Sequence, residues 1–249
     1  MTAFRSRLRA CETLAGTWVK TPHPHVVEVL ALSPLDCLVL DAEHAPFDRT
    51  NLDLCLMAAR AGGKPVLVRP ASAEHSHILN ALDCGADGVV LPHIRSVAEA
   101  KEAVRACHFR PGGRGYAGAS RAAGYGTLGM AATRAKADGV IVIAQIEDVE
   151  GVEAVEAIAA VPGIDCLFIG RADLTISYGA ETPDDPRVVA AVSRIVAAGR
   201  ATGVATGMFL PRIEDVPQWR EAGASLFLLQ SDQDFLRAGA DALAARIRG

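Results

Sequence analysis

Lysine is scarce in this chain: four are present among 249 residues, at Lys20, Lys64, Lys101 and Lys136. An enzyme that forms a Schiff base needs a lysine buried beside its substrate. Lys101 and Lys136 fall on predicted helices, and Lys64 begins a predicted strand. Lys20 alone, just after the first predicted strand, could approach a site at the carboxyl ends of strands. The sequence therefore disfavours a mechanism that depends on an amine.

Long apolar runs and excess positive charge are also missing. No run approaches the roughly 18 apolar residues of a membrane span, and the first residues lack the apolar core of a signal peptide. The net charge of −4 and the pI of about 6.0 offer no footprint for nucleic acid or an anionic membrane. We therefore expect a cytoplasmic protein with neither nucleic acid nor membrane as a partner.

Closely spaced cysteines are absent as well. The six cysteines are Cys11, Cys37, Cys55, Cys84, Cys107 and Cys166. This spacing contains no C-x-x-C pair, which excludes zinc-ribbon and thioredoxin-like motifs. We expect these residues to be reduced and mostly buried, as small apolar side chains.

Short apolar segments alternate with helical patterns along the whole chain. Strands are expected at Leu14–Val19, Cys37–Leu40, Pro65–Val68, Gly88–Leu91, Val140–Ile146, Ile164–Ile169, Val204–Phe209 and Leu226–Gln230. Several are apolar throughout, as strands covered on both faces should be. With half of the residues apolar, residues 1–249 are predicted to form one (β/α)₈ TIM barrel domain. Two small domains are the alternative that the length allows.

Other segments are predicted between these strands. A helix is expected at Val149–Val161, a single helical turn at Leu174–Gly179, and a last helix at Asp234–Arg248. Residues 110–127 are rich in glycine and have no clear period. Long loops of this kind in compact domains tend to be functional.

Two acidic residues follow neighbouring predicted strands. Val140–Ile146 stops at Glu147, and Ile164–Ile169 is followed by Gly170 and then Asp173. The helix between the two strands implies that they are parallel, so their carboxyl ends lie at the same edge. Two carboxylates converging there suit a hard divalent cation. Each acid alone could instead be a helix cap.

The remaining strand ends carry further reactive groups. In chain order the ends are Trp18, the Asp41-Glu43-His44 group, Arg69, His93, Glu147, Asp173, Leu210 and Gln230. A carboxylate such as Asp41 near His44 would fix the imidazole tautomer and raise its basicity. Arg69 could grip a carboxylate or enolate oxygen, or pair with a structural acid. For His93 a functional and a structural role stay open.

Six longer motifs extend these strand ends: LDAEHAPFD (40–48), VLVRP (66–70), LDCGADGVVLPHI (82–94), RGYAGASRAAGYG (114–126), QIEDVEGVEAVEAIAAVPGIDCLFIG (145–170) and ADLTISYG (172–179). Together they resemble the HpcH/HpaI aldolase family of metal-dependent class II pyruvate aldolases. They span nearly the whole chain. One departure is Arg171, because many members have proline there, and it puts the natural substrate in doubt.

The resemblance implies roles for individual residues. Glu147 and Asp173 are expected to bind Mg²⁺, Mn²⁺ or Co²⁺, and Arg69 to contact the ketone oxygen of pyruvate. His44 with Asp41 is expected to be the acid–base dyad. Asp83 is expected to reach a neighbouring subunit's site in a hexamer built from trimers, and Arg121 to act similarly. Substrate contacts are expected from Trp18, Arg69, Arg121, Gln145, Gly170, Ala172, Asp173 and Leu210.

The activity that follows is reversible cleavage of a 4-hydroxy-2-oxo acid to pyruvate, or hydroxypyruvate, and an aldehyde through an enolate. The expected partners are therefore the small-molecule 2-keto acid and aldehyde, together with further copies of the chain in a trimer or hexamer. Three alternatives stay open: a lyase acting on a CoA thioester, an oxaloacetate decarboxylase, and a catalytically silent barrel.

Overall fold

Eight parallel strands form one closed barrel in chain order in the computed structural model, which describes residues 3–248. The strands are β1 (Leu14–Val19), β2 (Cys37–Asp41), β3 (Val66–Arg69), β4 (Gly88–Leu91), β5 (Ile141–Ile146), β6 (Cys166–Ile169), β7 (Ala205–Leu210) and β8 (Leu226–Ser231). The predicted (β/α)₈ TIM barrel is confirmed, with each strand within a few residues of its predicted bounds.

Helices surround the barrel and connect its strands. They are α1 (Ala3–Arg9), α2 (Pro24–Ala31), α3 (Arg49–Ala61), α4 (His75–Asp83), α5 (Val97–Cys107), α6 (Met130–Ala137), α7 (Val149–Glu153), α8 (Val155–Ala159), α9 (Arg171–Ser177), α10 (Pro186–Thr202), α11 (Val216–Ala222) and α12 (Asp232–Arg248). Two short 3₁₀ helices lie at Arg121–Gly126 and Ile213–Asp215.

The core has two layers because successive strand residues point to opposite faces. Inside the barrel, Val39, Leu67, Phe168 and Leu228 pack together. Outside it, residues such as Leu38 pack against the helices. Both faces of the strands are buried, which explains why the strand sequences are apolar rather than alternating.

Helix α1 closes the amino-terminal end of the barrel and was not predicted. Its Phe4 and Leu8 join the inner apolar layer. Arg5 and Arg9 both donate through Nε to Asp165, which precedes β6. Seven residues with few apolar positions give too short a pattern to recognise in the sequence.

Two predicted segments differ from the structure. The helix expected at Val149–Val161 is divided into α7 and α8, because the backbone at Ala154 has φ −97° and ψ 3°. The single turn expected at Leu174–Gly179 is helix α9, which begins earlier, at Arg171. The earlier start places Asp173 in the first turn of a helix rather than in a loop.

All six cysteines are free, and five of them are buried. Burial raises the pKa of Cys37 and of Cys107 to about 12, which makes these thiols unreactive at neutral pH. Only Cys11 is exposed.

Within residues 3–248, no helix combines the length and the apolar character that crossing a bilayer requires.

Candidate active site

The strand register brings Asp41 and Arg69 side by side at the carboxyl-terminal rim of the barrel. They are direct partners on β2 and β3. Arg69 donates from Nε to Asp41 Oδ1 at 3.0 Å and from Nη2 to Oδ2 at 2.8 Å. Burial alone would raise the pKa of Asp41, but the two hydrogen bonds from Arg69 lower it below its usual value. Asp41 is therefore an ionised group that fixes Arg69.

Trp18 fixes Arg69 from a second direction. The guanidinium carbon lies 4.2 Å from the centre of the Trp18 ring. Trp18 in turn packs edge-to-face on Phe168, with 5.8 Å between ring centres. Stacking on an aromatic face and a forked carboxylate partner together hold a guanidinium in one orientation.

The expected contact between Asp41 and the His44 ring is replaced by a different arrangement. The backbone N–H groups of Glu43 and His44 donate to Asp41 Oδ1, at 3.3 and 3.1 Å. The His44 side chain is 58% exposed, and its Nε2 lies 3.6 Å from Glu43 Oε2. The forked Arg69, next to Asp41 in register, outcompetes the imidazole for this carboxylate. The acid–base role of His44 stays a prediction.

Glu147 follows β5 and is almost fully buried. Its Oε1 accepts the backbone N–H of His93 at 2.8 Å, and its Oε2 accepts the side-chain amide of Gln145. Burial raises the pKa of Glu147, and the charge of Asp173 raises it further. Glu147 is thus a buried carboxylate that is held by two N–H donors.

The loop that carries Asp173 passes close to Glu147. A Cβ atom at Gly170 would lie 2.7 Å from both Cβ and Oε2 of Glu147, so only glycine fits between β6 and α9. Asp173 is half-buried in the first turn of α9, and Ala172 beside it is exposed. Their expected contact with the substrate stays a prediction.

The donor set suits a hard divalent cation that keeps open positions. Glu147 and Asp173 supply carboxylate oxygens, and the buried Oε1 of Gln145 has no hydrogen-bond partner. No group of three or more His, Cys, Asp or Glu side chains placed to hold a metal occurs within residues 3–248. Two protein ligands with water and substrate oxygens completing the shell are typical of Mg²⁺-like sites. The residues therefore fit the expected ion.

His93 lies at the end of β4 in a left-handed conformation, with φ 55°. Its Nδ1 lies 3.0 Å from Asp148 Oδ2. Burial alone would lower the pKa of His93, but the hydrogen bond to Asp148 and the charges of Glu147 and Glu43 raise it above its usual value. The structure therefore places His93 against the candidate metal ligands, where the sequence had left its role open.

Glu43 is a group at this rim that the sequence analysis placed among the strand ends but to which it gave no role of its own. Its side chain is 10% exposed and lies 3.2 Å from Arg69 Nε, 3.6 Å from His44 Nε2 and 3.8 Å from His93 Nε2. The only sequence signal for Glu43 was its position between Asp41 and His44 in the segment after β2. A run of alternating polar residues in a turn does not tell which of them points inward.

The sequence analysis also singled out residues that lie outside the contacts described so far. Leu210, at the end of β7, is buried at the same rim. Lys20 Nζ lies 3.8 Å from Asp41 Oδ2. The Arg171 guanidinium lies 5.4 Å from the Trp219 ring centre and donates to the carbonyl of Pro183.

Asp83 and Arg121 lie at the opposite end of the barrel. Asp83 ends α4 and accepts a hydrogen bond from Arg114 at 2.7 Å. Arg121 pairs with Asp53. Both Arg114 and Arg121 line a cavity of about 710 Å³. Because helix α4 runs antiparallel to the strands, Asp83 at its end lies on the side of the barrel opposite the rim that carries Glu147.

Comparison with known proteins finds a matching family and similar chains. The family model described as HpcH/HpaI aldolase/citrate lyase matches residues 14–238. A hydroxypyruvate/pyruvate aldolase of Paraburkholderia phytofirmans is 38% identical over 92% of this chain and 91% of the relative. A 4-hydroxy-2-oxo-heptane-1,7-dioate aldolase of Salmonella dublin is 33% identical over 98% of this chain and 94% of the relative.

A solved structure matches the whole chain. The crystal structure of an HpcH/HpaI aldolase/citrate lyase family protein from Burkholderia cenocepacia J2315 superposes with a TM-score of 0.95. The two chains are 35% identical, and the match covers 100% of each.

Proposed function

The chain belongs to the HpcH/HpaI aldolase/citrate lyase family and is an aldolase, and we propose that it reversibly cleaves 4-hydroxy-2-oxo acids with the aid of a divalent cation. The proposed products are an aldehyde and either pyruvate or hydroxypyruvate, the two acids in the name of the Paraburkholderia relative. A connected series of close side-chain contacts along the rim supports this proposal. Arg69 lies 3.2 Å from Glu43, Glu43 3.8 Å from His93, and His93 Nδ1 3.4 Å from Glu147 Oε1.

Glu147 and Asp173 are the residues proposed to hold Mg²⁺, Mn²⁺ or Co²⁺. When bound, such an ion supplies the Lewis acidity that makes electron withdrawal from a 2-oxo acid favourable. Gln145 and the backbone of His93 orient the Glu147 carboxylate. Gly170 leaves the clearance that the carboxylate needs.

Arg69 is proposed to face the C2 oxygen of the 2-oxo acid. Negative charge develops on this oxygen when the C3–C4 bond breaks. A donor that is already oriented stabilises such charge without reorganising during the reaction. Asp41 and Trp18 provide that orientation, and the buried position of Arg69 excludes the water that would screen it.

His44 is proposed to move the proton of the C4 hydroxyl. Its exposed ring lies at the mouth, where an aldehyde would enter and leave. In the cleavage direction it takes the hydroxyl proton, and in the addition direction it returns it.

We expect the protein to exchange the C3 protons of pyruvate with D₂O only when a divalent ion is present. The experiment follows the pyruvate methyl signal by NMR with EDTA-stripped protein and then after addition of Mg²⁺, Mn²⁺ or Co²⁺. The expected result is no exchange above the buffer rate in EDTA and restored exchange with metal, because enolate formation needs the Lewis acid.

Two outcomes would contradict this proposal. Exchange that survives EDTA, with a borohydride-trapped adduct at Lys20, would establish an amine mechanism. No exchange under any condition would favour a thioester lyase or a silent barrel. Decarboxylation of oxaloacetate is measured in parallel, because it passes through the same enolate.

Helix α12 supports the proposal that the chain works as a homo-oligomer. It is 17 residues long, yet only Asp232 at its start is buried. Leu236, Leu243 and Ile247 are exposed at 66%, 62% and 87%, at spacings that put them on one helix face. An apolar face of this length is costly in water, and a second copy of the chain would cover it. Asp83 and Arg121 are proposed to meet a neighbour's site in the same assembly.

Leu243→Asp is expected to lower the solution mass measured by light scattering. The wild-type protein should have three or six times the protomer mass of 26.1 kDa, and the variant should dissociate at least in part because a charge cannot be buried unpaired. Ala245→Asp, on the opposite face of α12, is the matched control and should leave the mass unchanged. A monomeric wild type, or equal masses for both variants, would contradict the proposal.

A further inference from the structure

The amino-terminal end of the barrel holds the cavity of about 710 Å³ that Arg114 and Arg121 line. Its walls come from the ends of α3 and α4, from the residues around the starts of β3, β4 and β5, and from α6 with the segment before it. Pockets of roughly 300–1,000 Å³ accommodate small organic ligands. The strand starts lie opposite the rim that carries Glu147, so this cavity is separate from the candidate active site.

Positive charge dominates the cavity walls. Five cationic side chains line the cavity: Arg60, Lys64, Arg114, Arg121 and Lys136. Among the lining residues that the structure describes, Asp87 is the only acid. One of its carboxylate oxygens already accepts the backbone N–H of Val66, at 2.9 Å. The walls therefore carry more positive than negative charge.

Two of the cations are balanced by acids that do not line the cavity. Arg114 pairs with Asp83 at 2.7 Å, and Arg121 pairs with Asp53. The Arg114 side chain is only 2% exposed, yet its buried Nε has no hydrogen-bond partner. A buried donor without an acceptor is costly, and such groups commonly mark a place for a water molecule, an ion or a ligand.

The other three cations have no acidic partner. Within residues 3–248, no carboxylate lies within 4.0 Å of the charged groups of Arg60, Lys64 or Lys136. Lys64 Nζ donates to two backbone carbonyls, and Lys136 Nζ lies 3.3 Å from the carbonyl of Ala122. Since Asp87 is the one acid of the walls, two positive charges remain without a counter-charge. A ligand with two negative charges would balance them.

The cations are also close enough to repel one another. Burial lowers the pKa of Lys136, and the charges of Arg60 and Arg114 lower it further, while Asp87 opposes them. Nearby like charges disfavour the protonated form of an amine. An anion placed among these groups would remove the repulsion, so the fold already holds in place the charges that favour its binding.

We propose that this cavity binds a small organic dianion, either a phosphate monoester or a dicarboxylate, through Arg60, Arg114 and Lys136. Both ligand classes present two negative charges on oxygen acceptors, which form strong charge-assisted hydrogen bonds with arginine and lysine. Apolar walls such as Leu56 and Phe109 would contact the carbon skeleton. The inference concerns a second site and does not depend on the proposed aldolase reaction.

Isothermal titration calorimetry of the Mg²⁺-loaded protein with glycerol 3-phosphate and with malonate tests this site. Pyruvate is kept at a saturating concentration so that the candidate active site is occupied. We expect one dianion per chain, and we expect acetate to bind at least about tenfold more weakly because it lacks the second charge. Binding of glycerol 3-phosphate alone would identify a phosphate ester, binding of malonate alone a dicarboxylate, and binding of both the shared dianion chemistry.

Lys136→Gln and Arg60→Gln should each weaken binding about tenfold or more, the loss expected when one charge-assisted hydrogen bond is removed. Arg134→Gln is the matched control, because it removes a positive charge from the same helix at a position that does not line the cavity. It should change the Kd by less than about twofold, since solvent screens an exposed charge. Glu147→Gln should bind as wild type does. Equal circular dichroism of all variants checks the fold.

Four results would overturn the inference. Neither dianion would bind with a Kd below about 10 mM, or acetate would bind as tightly as they do. Equal weakening by Arg134→Gln and Lys136→Gln would show a general effect of net charge. Loss of binding in Glu147→Gln would place the dianion at the candidate active site. If an acidic side chain of a neighbouring copy filled the cavity instead, neither dianion would bind and Lys136→Gln would lower the solution mass.

Discussion

Glu147→Gln should lower aldolase kcat by roughly 10³-fold, equivalent to about 4 kcal/mol of transition-state stabilisation. It should also weaken Mn²⁺ binding by more than about 100-fold, which exceeds the loss seen when a partner of a ligand is removed. The amide lacks the negative charge that a divalent ion requires. It also disturbs the local hydrogen bonds, since both Glu147 oxygens accept from N–H donors and the new NH₂ group must face one of them.

Mn²⁺ titration followed by electron paramagnetic resonance, together with steady-state cleavage rates, measures both effects. Glu150→Gln is the matched control: it makes the same change three residues further along, on an exposed carboxylate. It should leave both quantities unchanged. Asp173→Asn should behave like Glu147→Gln. If Glu147→Gln kept Mn²⁺ affinity and kcat within threefold of wild type, the ligand assignment would be wrong.

The position of Glu147 and Asp173 at one rim was predictable because it follows from topology. A strand, a helix and a second strand leave both strand ends at one rim whatever the side chains do. The register Ile146 to Ile169 then puts Glu147 next to Gly170. The same reasoning placed Trp18, Arg69 and Leu210 at that rim. Strand order and strand ends are thus the part of the site that one sequence determines well.

The partners of each group at the rim were harder to predict. Asp41, Glu43 and His44 lie within one turn, and Arg69 competes with His44 for any carboxylate there. A sequence does not show that the register of β2 and β3 places Arg69 beside Asp41. It also does not show that Glu43 folds inward while His44 stays exposed. These outcomes depend on which donors reach which oxygens, and a sequence does not show that.

Distant contacts account for the remaining differences in the fold. Helix α1 is bound to the barrel through Asp165, which lies about 160 positions from Arg5 in the sequence. The last helix was predicted nearly in full, yet Asp232 is its one buried residue, and Leu236, Leu243 and Ile247 are exposed. A hydrophobic period predicts that a face is covered but does not identify what covers it.

Asp165→Ala should lower the free energy of unfolding by about 3–5 kcal/mol, the usual cost of removing one partner of a buried ion pair. The Asp165 side chain is fully buried. It accepts from Arg5 Nε at 3.1 Å, from Arg9 Nε at 2.6 Å and from the backbone N–H of Val142 at 3.0 Å. The substitution removes the carboxylate that pairs with the Arg5 guanidinium, and the Arg5 side chain is only 6% exposed.

Thermal melting should show a Tm lower by roughly 10 °C, because 1 kcal/mol corresponds to about 2–4 °C in a chain of this size. Arg9→Ala should cost only about 0–1 kcal/mol, since that side chain reaches solvent. Asp138→Ala, an exposed acid at the same end of the barrel, is the matched control. Below its melting range Asp165→Ala should keep the wild-type kcat, because Asp165 precedes β6 and lies at the end opposite Glu147. A Tm within 2 °C of wild type would show that α1 contributes little to barrel stability through this contact.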